Sequence, residues 1–137
     1  MSCTQDVLYS HFENIPNEGW HADSTLSFNI TLSDSATACD VIIDIRHNRQ
    51  YPYQNIWLMT DIYADSALLL TDTLEYYLAN QRGEWLGNGF GRLKDMPGLW
   101  LNNTSLSTHN LQIKVRHGMR TERLTGVEAI GITIEKR

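Results

Sequence analysis

Apolar and polar residues alternate along several segments of the chain, with the period of two that is typical of β-strands. Leucine, isoleucine, valine or phenylalanine recurs at alternate positions within the segments 24–31, 40–46, 111–116 and 130–135, as at 26, 28 and 30 in the first. Such alternation indicates a strand that buries one face in a core and exposes the other face to water. The pattern therefore predicts an all-β protein.

Two further segments predict strands of other kinds. Residues 55–63 are apolar on both faces, with Ile56 and Leu58 opposite Trp57. That distribution suits a central strand, or a strand whose outer face carries a partner. Residues 7–12 show a weaker strand pattern near the N-terminus.

The segment 72–79 fits two structures. Asp72 followed by Glu75 resembles the capping box that begins a helix. Leucine or tyrosine also stands at every second position from 74 to 78, as in a strand. We expect a strand, because tyrosine suits a pleated surface and the neighbouring segments are strands.

Residues that favour chain reversals separate these segments, at 16–19, 33–35, 80–83, 96–98 and 102–103. Roughly eight short strands with frequent turns predict an antiparallel β-sandwich, and we prefer a jelly-roll-like arrangement. We expect a single sandwich domain at 7–137, preceded by a short N-terminal tether at 1–6.

Glycine recurs throughout the segment 83–91. The segment lacks the Lys-Ser/Thr pair of a phosphate-binding loop, and it lacks the spacing and the βαβ context of a dinucleotide fingerprint. We interpret it as a strand in which glycines alternate with Trp85 and Phe90. The glycines would leave room there for a bulky neighbour or for a bulge.

The composition narrows the class of partner. The chain has 137 residues, a net charge of -5 and a pI of about 5.4. Its length suits one domain with a full core. A nucleic-acid partner requires a basic face, so this balance argues against one. No apolar run approaches the roughly 20 residues that span a bilayer.

The sequence carries no motif of a known reaction. It has no Gly-x-Ser-x-Gly nucleophile elbow, and none of its five histidines stands two or four residues from another. Asp61 and Asp65 share a strand face, but four residues along a strand separate them by about 13 Å, too far for a glycosidase pair. We therefore predict no enzyme, no catalytic residue, no metal site and no cofactor.

The two cysteines, Cys3 and Cys39, leave three interpretations open. They are unrelated thiols, or they form a disulfide in an oxidising compartment. Alternatively, Cys3 is the attachment point of a lipid, as in a bacterial lipoprotein that is cleaved just before such a cysteine. Ser2 is the small residue that fits before that cleavage, and Met1 would then replace a removed signal.

Several segments, taken together and in order, resemble the signatures of the gliding-motility lipoprotein H family. They include Arg46-His47 with Tyr51-Pro52-Tyr53-x-Asn55-Ile56-Trp57-Leu58, and Gly83-x-Trp85-Leu86-Gly87-x-Gly89-x-Gly91. They also include Met119-Arg120 with Leu124-x-Gly126-Val127 and Ile130-Gly131-Ile132, besides the N-terminal aromatics Tyr9, Phe12 and Trp20. The resemblance runs from Cys3 to the end of the chain.

The resemblance implies a small envelope lipoprotein of the kind that some bacteria need for surface gliding, and that also occurs in relatives that do not glide. The family has no known reaction. Its lipidated cysteine corresponds to Cys3, although Cys3 behind Met1-Ser2 could not be acylated as written. Some related bacteria use a run of acidic residues after this cysteine to send lipoproteins to the cell surface. No such run follows Cys3. We therefore expect a lipid-anchored protein of the cell envelope that faces the periplasm. Its expected partners are the membrane, through Cys3, and other envelope or gliding-machinery proteins, with no nucleic acid.

The segment 46–58 holds the candidate partner-binding residues. Tyrosine, tryptophan and arginine are enriched at interface hot spots, and loops on rigid scaffolds often carry function. The candidates are Arg46, Arg49, Tyr51, Tyr53 and Trp57. The other interpretation is that these aromatics only cover the end of the sandwich, with Arg46 stacking or bonding nearby.

A second function from another class remains open. Sandwiches with exposed tryptophans often bind sugars by stacking, so the chain is alternatively a carbohydrate-binding module of the cell envelope. The candidate stacking residues are Trp57, Trp85 and Trp100. A line of exposed aromatics on an outer sheet would favour sugar, whereas a mixed patch that includes arginine would favour protein.

Overall fold

The computed structural model describes residues 6–32, 36–89, 91–106 and 110–136. Within these ranges the chain forms ten β-strands and no helix. The strands are β1 (Asp6–Asn14), β2 (Trp20–His21), β3 (Leu26–Thr31), β4 (Ala36–Asn48), β5 (Asn55–Ala64), β6 (Ala67–Tyr77), β7 (Leu93–Leu106), β8 (Asn110–His117), β9 (Arg123–Leu124) and β10 (Val127–Lys136). Accordingly, the described residues provide no helix that could cross a membrane.

Eight of the strands form two antiparallel sheets of four. The first sheet has the order β1-β10-β4-β7, and the second has the order β3-β8-β5-β6. The strands β2 and β9 form a separate two-stranded pair. Most successive strands alternate between the two large sheets, and only β5 and β6 are joined as a hairpin within one sheet. This is the strand order of a jelly roll, so the predicted all-β sandwich is confirmed.

The core lies between the two large sheets. In β4, Val41, Ile43 and Ile45 are buried, whereas the intervening residues are half-buried on the other face. In the second sheet, Ile56 and Leu58 of β5 face the same apolar cluster. The alternation in the sequence thus states which face of each strand is buried.

Most of the predicted strands are confirmed. The four alternating segments lie in β3, β4, β8 and β10, and the segment at 55–63 is β5, between β8 and β6. The segment at 72–79 belongs to β6, which ends at Tyr77. The weak pattern at 7–12 lies in β1.

The longest strand, β7, lies where the sequence predicts reversals at 96–98 and 102–103, so those two predictions are wrong. Pro97 is accommodated because β7 is an edge strand, which lacks a neighbour on one side. Asn103 adopts a left-handed conformation with φ of 53°. It accompanies register shifts between β4 and β7, so it produces a bulge instead of a reversal.

The glycine-rich segment 83–91 is a loop between β6 and β7, so the predicted strand is wrong. Gly83 and Gly89 have φ of 81° and 141°, conformations that few other residues adopt and that a regular strand does not contain. Trp85 makes one isolated bridge within this loop. Phe90 lies outside the described residues.

Contacts between β6 and β7 join the two sheets at one side of the sandwich. The ring of Tyr76 lies on Gly98, and its hydroxyl donates to the carbonyl of Leu99 at 3.1 Å. Trp100 Nε1 donates to Asp72 Oδ2 at 2.8 Å. Burial, together with the charge of Asp72, raises the pKa of Tyr76 to about 12. These side chains are held in place by both packing and hydrogen bonds.

We predict that Gly98→Ala lowers the free energy of unfolding by about 1–3 kcal/mol, the usual cost of overpacking. An added Cβ at Gly98 would lie 2.5 Å from the ring of Tyr76, which its hydrogen bond holds in place. Gly118→Ala is the matched control, because the nearest atom to its added Cβ is 3.4 Å away. Urea unfolding of the two variants measures the difference, and equal stability would contradict the packing described.

Candidate functional site

The jelly roll has two ends that differ in what they carry. Asp6 pairs with Lys136, which pairs with Cys39, so the first described residue lies at the end that we call the tether end. The opposite end, which we call the far end, carries the loop that joins Asn48 to Asn55. The nine residue steps from Cys39 to Asn48 along β4 separate the two ends by about 30 Å.

Tyr51 forms the buried base of the loop at the far end. Only 4% of Tyr51 is exposed, and its hydroxyl donates to the carbonyl of Asn55 at 2.7 Å. Burial raises the pKa of that hydroxyl well above its usual range. Gly126 allows the backbone to come close, because a Cβ there would lie 2.5 Å from Tyr51 Cα. The loop is therefore a fixed platform.

His47 supports the same platform from β4. It is fully buried, and Nδ1 lies 2.9 Å from the carbonyl oxygen of Asn48. Because a carbonyl only accepts, Nδ1 carries the proton. Nε2 has no hydrogen-bond partner among the described residues. The ring packs 4.7 Å from the ring of Trp85, and desolvation lowers the pKa of His47. His47 is therefore neutral and acts in packing.

His117, at the end of β8, positions the neighbouring loop. Its Nδ1 accepts a hydrogen bond from the N–H of Met119 at 3.2 Å. Its Nε2 therefore donates to the carbonyl of Trp20 at 3.0 Å. Burial, more than the nearby His21, lowers the pKa of His117. The neutral ring fixes where Met119 lies.

A surface of exposed aromatic side chains rests on this platform. Tyr53 is 41% exposed and Trp57 is 38% exposed, and both line an open hollow of ≈ 330 Å³ with Met119 and Arg120. The backbone N–H of Trp57 donates to Met119 Sδ at 3.3 Å. We call Tyr53, Trp57, Met119 and Arg120 the aromatic patch. It combines apolar area with one cation.

The aromatic patch continues beyond these residues. A second hollow, of ≈ 260 Å³, is shared by Tyr53, Gln54 and the loop after β6. Tyr77 and Leu86 are exposed beside Gln54 in a third hollow. The exposed apolar area at the far end is therefore larger than the patch itself, and loops from three parts of the chain contribute to it.

The arginines near the far end differ in their partners. Arg46 makes a two-pronged ion pair with Asp95, at 2.8 and 3.1 Å, and its guanidinium lies 4.3 Å from the ring centroid of Phe12. Arg49 and Arg82 are exposed in two loops of the far end. Within the described part of the chain, these two and Arg120 have no ion pair.

The structure divides the five candidate partner-binding residues. Arg49, Tyr53 and Trp57 are exposed, as a binding role requires. Tyr51 is buried, which corrects its assignment as a partner-binding residue. Arg46 pairs with Asp95 and lies over the ring of Phe12. Met119 and Arg120 were not among the candidates, although they open the third segment of the family resemblance.

The three candidate stacking tryptophans do not form one surface. Trp57 is on the outer face of the second sheet, and Trp85 is half-buried against His47. Trp100 is only 9% exposed and bonds to Asp72 from the side of the core, so its assignment as a stacking residue is wrong. Trp100 is buried because β6 and β7 contact each other where they join the two sheets, and the sequence alone did not indicate this contact.

The predicted lipid attachment at Cys3 and residues 1–5 of the predicted tether lie outside the described residues, so both stay predictions, whereas Asp6 already belongs to β1. Cys39 is a fully buried free thiol. Burial, assisted by Asp40, raises the pKa of Cys39. In the part of the chain that the structure describes, no three His, Cys, Asp or Glu side chains gather in a way that could hold a metal ion.

The chain is similar to gliding-motility lipoproteins along almost its whole length. Residues 7–134 match the family model described as "GldH lipoprotein". The "Gliding motility lipoprotein GldH homolog" of Christiangramia forsetii is 32% identical, over 98% of this chain and 87% of the relative. The "Gliding motility lipoprotein GldH" of Flavobacterium johnsoniae is 27% identical, over 99% of this chain and 89% of the relative.

The similarity to one solved structure is distant. The exo-beta-1,3-galactanase of Phanerochaete chrysosporium has a TM-score of 0.46 and 8% identity, over 97% of this chain. This chain spans only 29% of that enzyme. At this similarity the galactanase supports no conclusion about the function of the chain.

We predict that the free energy of unfolding falls as the pH is lowered from about 7.5 to about 5.5, through the usual histidine pKa of about 6.5. The pKa values of His47 and His117 are lowered in the folded state, so the unfolded chain takes up protons first. Their stabilising contribution is thus complete above the unfolded pKa and declines as the pH falls below it. Burial raises the pKa of Asp44. At lower pH, protonation of Asp44 therefore favours the folded state, which is opposite to the effect of the two histidines.

Urea unfolding at the two pH values tests this dependence. The double variant His47→Gln, His117→Gln should be less stable at both pH values and should show a smaller change between them. An unchanged difference in the double variant would contradict the assignment of the pH dependence to these two rings.

Proposed function

The chain belongs to the GldH lipoprotein family, and we propose that it is a lipid-anchored, periplasm-facing accessory protein of the bacterial gliding apparatus. In this proposal it catalyses no reaction and acts by binding another protein. The family match supports the connection with gliding. The observation that carries the binding role is the aromatic patch, with Tyr53 and Trp57 exposed on a platform of buried side chains.

The proposed lipid is attached to Cys3, three residues before β1 begins. Three residues reach about 10 Å when extended. The membrane would then lie beyond the tether end, whereas the aromatic patch lies about 30 Å away at the far end. This separation would present the patch to proteins of the periplasm instead of to the lipid surface.

The composition of the patch supports a protein as the occupant. Tyrosine, tryptophan, methionine and arginine are enriched at the centres of protein interfaces. Trp57 and Tyr53 offer rigid apolar area, and Arg120 lies beside them. A partner would cover this exposed apolar area, since large apolar patches on single proteins usually mark contacts.

Charge indicates what the partner surface contains. The chain has a net charge of -5, yet Arg49, Arg82 and Arg120 are exposed at the far end without an ion pair among the described residues. A partner with carboxylates around an apolar centre would complement these arginines, and opposite potentials both steer and orient protein association. The proposed partner segment is therefore apolar and acidic.

We predict that Tyr53→Ala and Trp57→Ala each weaken partner binding by roughly 2 kcal/mol, or about 30-fold, as at an interface hot spot. The melting temperature of Tyr53→Ala should change little, because Tyr53 lies at the surface. The tagged lipoprotein would be crosslinked in the envelope of a gliding bacterium, and the recovery of co-purified gliding-machinery components would be compared between variants.

Leu69→Ala is the matched control, because Leu69 is an exposed apolar residue near the tether end of β6. Its recovery of partners should equal that of the unaltered protein. Equal recovery with Tyr53→Ala and Trp57→Ala would refute the proposed interface. A large fall in melting temperature with Tyr53→Ala would instead show that this tyrosine stabilises the end of the sandwich.

A further inference from the structure

A separate hollow, of ≈ 540 Å³, lies on the outer face of the second sheet near the tether end. It is open, and its floor is a row of side chains from adjacent strands, with Asn29 opposite Gln112 and Gln112 opposite Tyr63. Six residue steps along β5 separate Tyr63 from Trp57, a distance of about 20 Å. The hollow is therefore distinct from the aromatic patch.

The wall of the hollow is a strained hairpin turn. Asp65 and Ser66, which join β5 to β6, have φ of 49° and 71°. Two consecutive residues in this region suit the turn that best matches the twist of a hairpin; aspartate is common at its first position, but glycine usually occupies the second position, where Ser66 stands. The N–H of Asp65 donates to the carbonyl of Asn110 at 3.1 Å, which fixes the turn against β8. Strain of this kind is often retained where a binding site needs a fixed wall.

The side chains of the hollow fit a ligand that is rich in hydroxyl groups. Gln112 Nε2 donates to Asn29 Oδ1 at 3.0 Å, which holds the two amides side by side. Each amide still has donor and acceptor capacity for neighbouring hydroxyls. Thr31 and Ser66 add hydroxyls, and the ring of Tyr63 adds an apolar surface. Few precisely placed polar groups around an aromatic ring are usual in small-molecule sites.

Charge distinguishes the class of ligand. Among the described residues that line the hollow, Asp65 is the one carboxylate and none is a cation. The ammonium of Lys114 lies beside the lining, 5.0 Å from the ring centroid of Tyr63. The described lining thus lacks the concentration of cations that a phosphate or sulfate requires. A neutral ligand is therefore favoured over an anionic one.

We propose that this hollow binds a neutral saccharide unit, with the amides of Asn29 and Gln112 bonded to sugar hydroxyls and Tyr63 against the sugar ring. The site is independent of the protein partner at the far end. It would hold the tether end against sugar at the membrane or in the surrounding envelope. Two sources supply the same chemistry, namely the head group of a glycolipid and a glycan chain free of lipid.

Nuclear magnetic resonance titration of the domain tests the proposal with two sets of probes. The first is a set of soluble neutral oligosaccharides, namely laminarihexaose, galactohexaose and chitohexaose. The second is a set of phosphatidylcholine vesicles with and without a galactosyl diglyceride. The expected result is that one probe shifts the side-chain amide signals of Asn29 and Gln112 at up to millimolar concentration. Binding of an oligosaccharide assigns the site to glycan chains, and binding of glycolipid vesicles alone assigns it to head groups.

Asn29→Ala and Gln112→Ala should each weaken that binding by about tenfold, the effect of lost hydrogen bonds. Asn29 is exposed, so its variant keeps the fold and remains a fair test if Gln112→Ala is unstable. Thr73→Ala, an exposed position on β6 outside the hollow, is the matched control, and Tyr53→Ala should also leave sugar binding unchanged. The proposal is overturned if no probe shifts these signals, or if vesicles are the only probes that bind and plain vesicles bind as well as glycolipid vesicles.

Discussion

The apolar layer between the two four-stranded sheets determines the register of the strands, because a slip of one residue would turn each buried side chain into water. In β4, Val41, Ile43 and Ile45 lie in that layer, and Ile56 and Leu58 of β5 face it from the other sheet. The layer therefore determines which residues face outward. The half-buried and exposed side chains that remain are the ones available for binding.

The same register places different chemistry at the two ends of the sandwich. At the far end, buried Tyr51 and neutral His47 support loops that expose Tyr53 and Trp57. The platform is rigid because its polar groups are hydrogen-bonded or packed. A rigid platform loses less conformational entropy when a partner binds. At the tether end, outward-facing side chains of the second sheet, among them Asn29, Gln112 and Tyr63, form the floor of a hollow.

The sequence predicted the structural features that depend on local periodicity. It did not predict the features that tertiary contacts determine. The alternation in β3, β4, β8 and β10 identified both the strands and their buried faces. The strand β7 was not predicted, because Pro97 and Asn103 have local preferences for turns that pairing with β4 overrides.

The exposure of an aromatic side chain is equally non-local. Tyr51 and Trp100 resemble Tyr53 and Trp57 in sequence, and only their contacts with Asn55 and Asp72 show that they are buried.

The proposed function requires that the far end of the sandwich contacts a protein of the gliding apparatus. Its most direct test is a photo-reactive amino acid placed at residue 53, and separately at residue 69, in the lipoprotein of a gliding bacterium. We predict crosslinks from residue 53 to one envelope component of that apparatus, with none of them from residue 69. The same crosslinks from both positions, or from residue 69 alone, would contradict it.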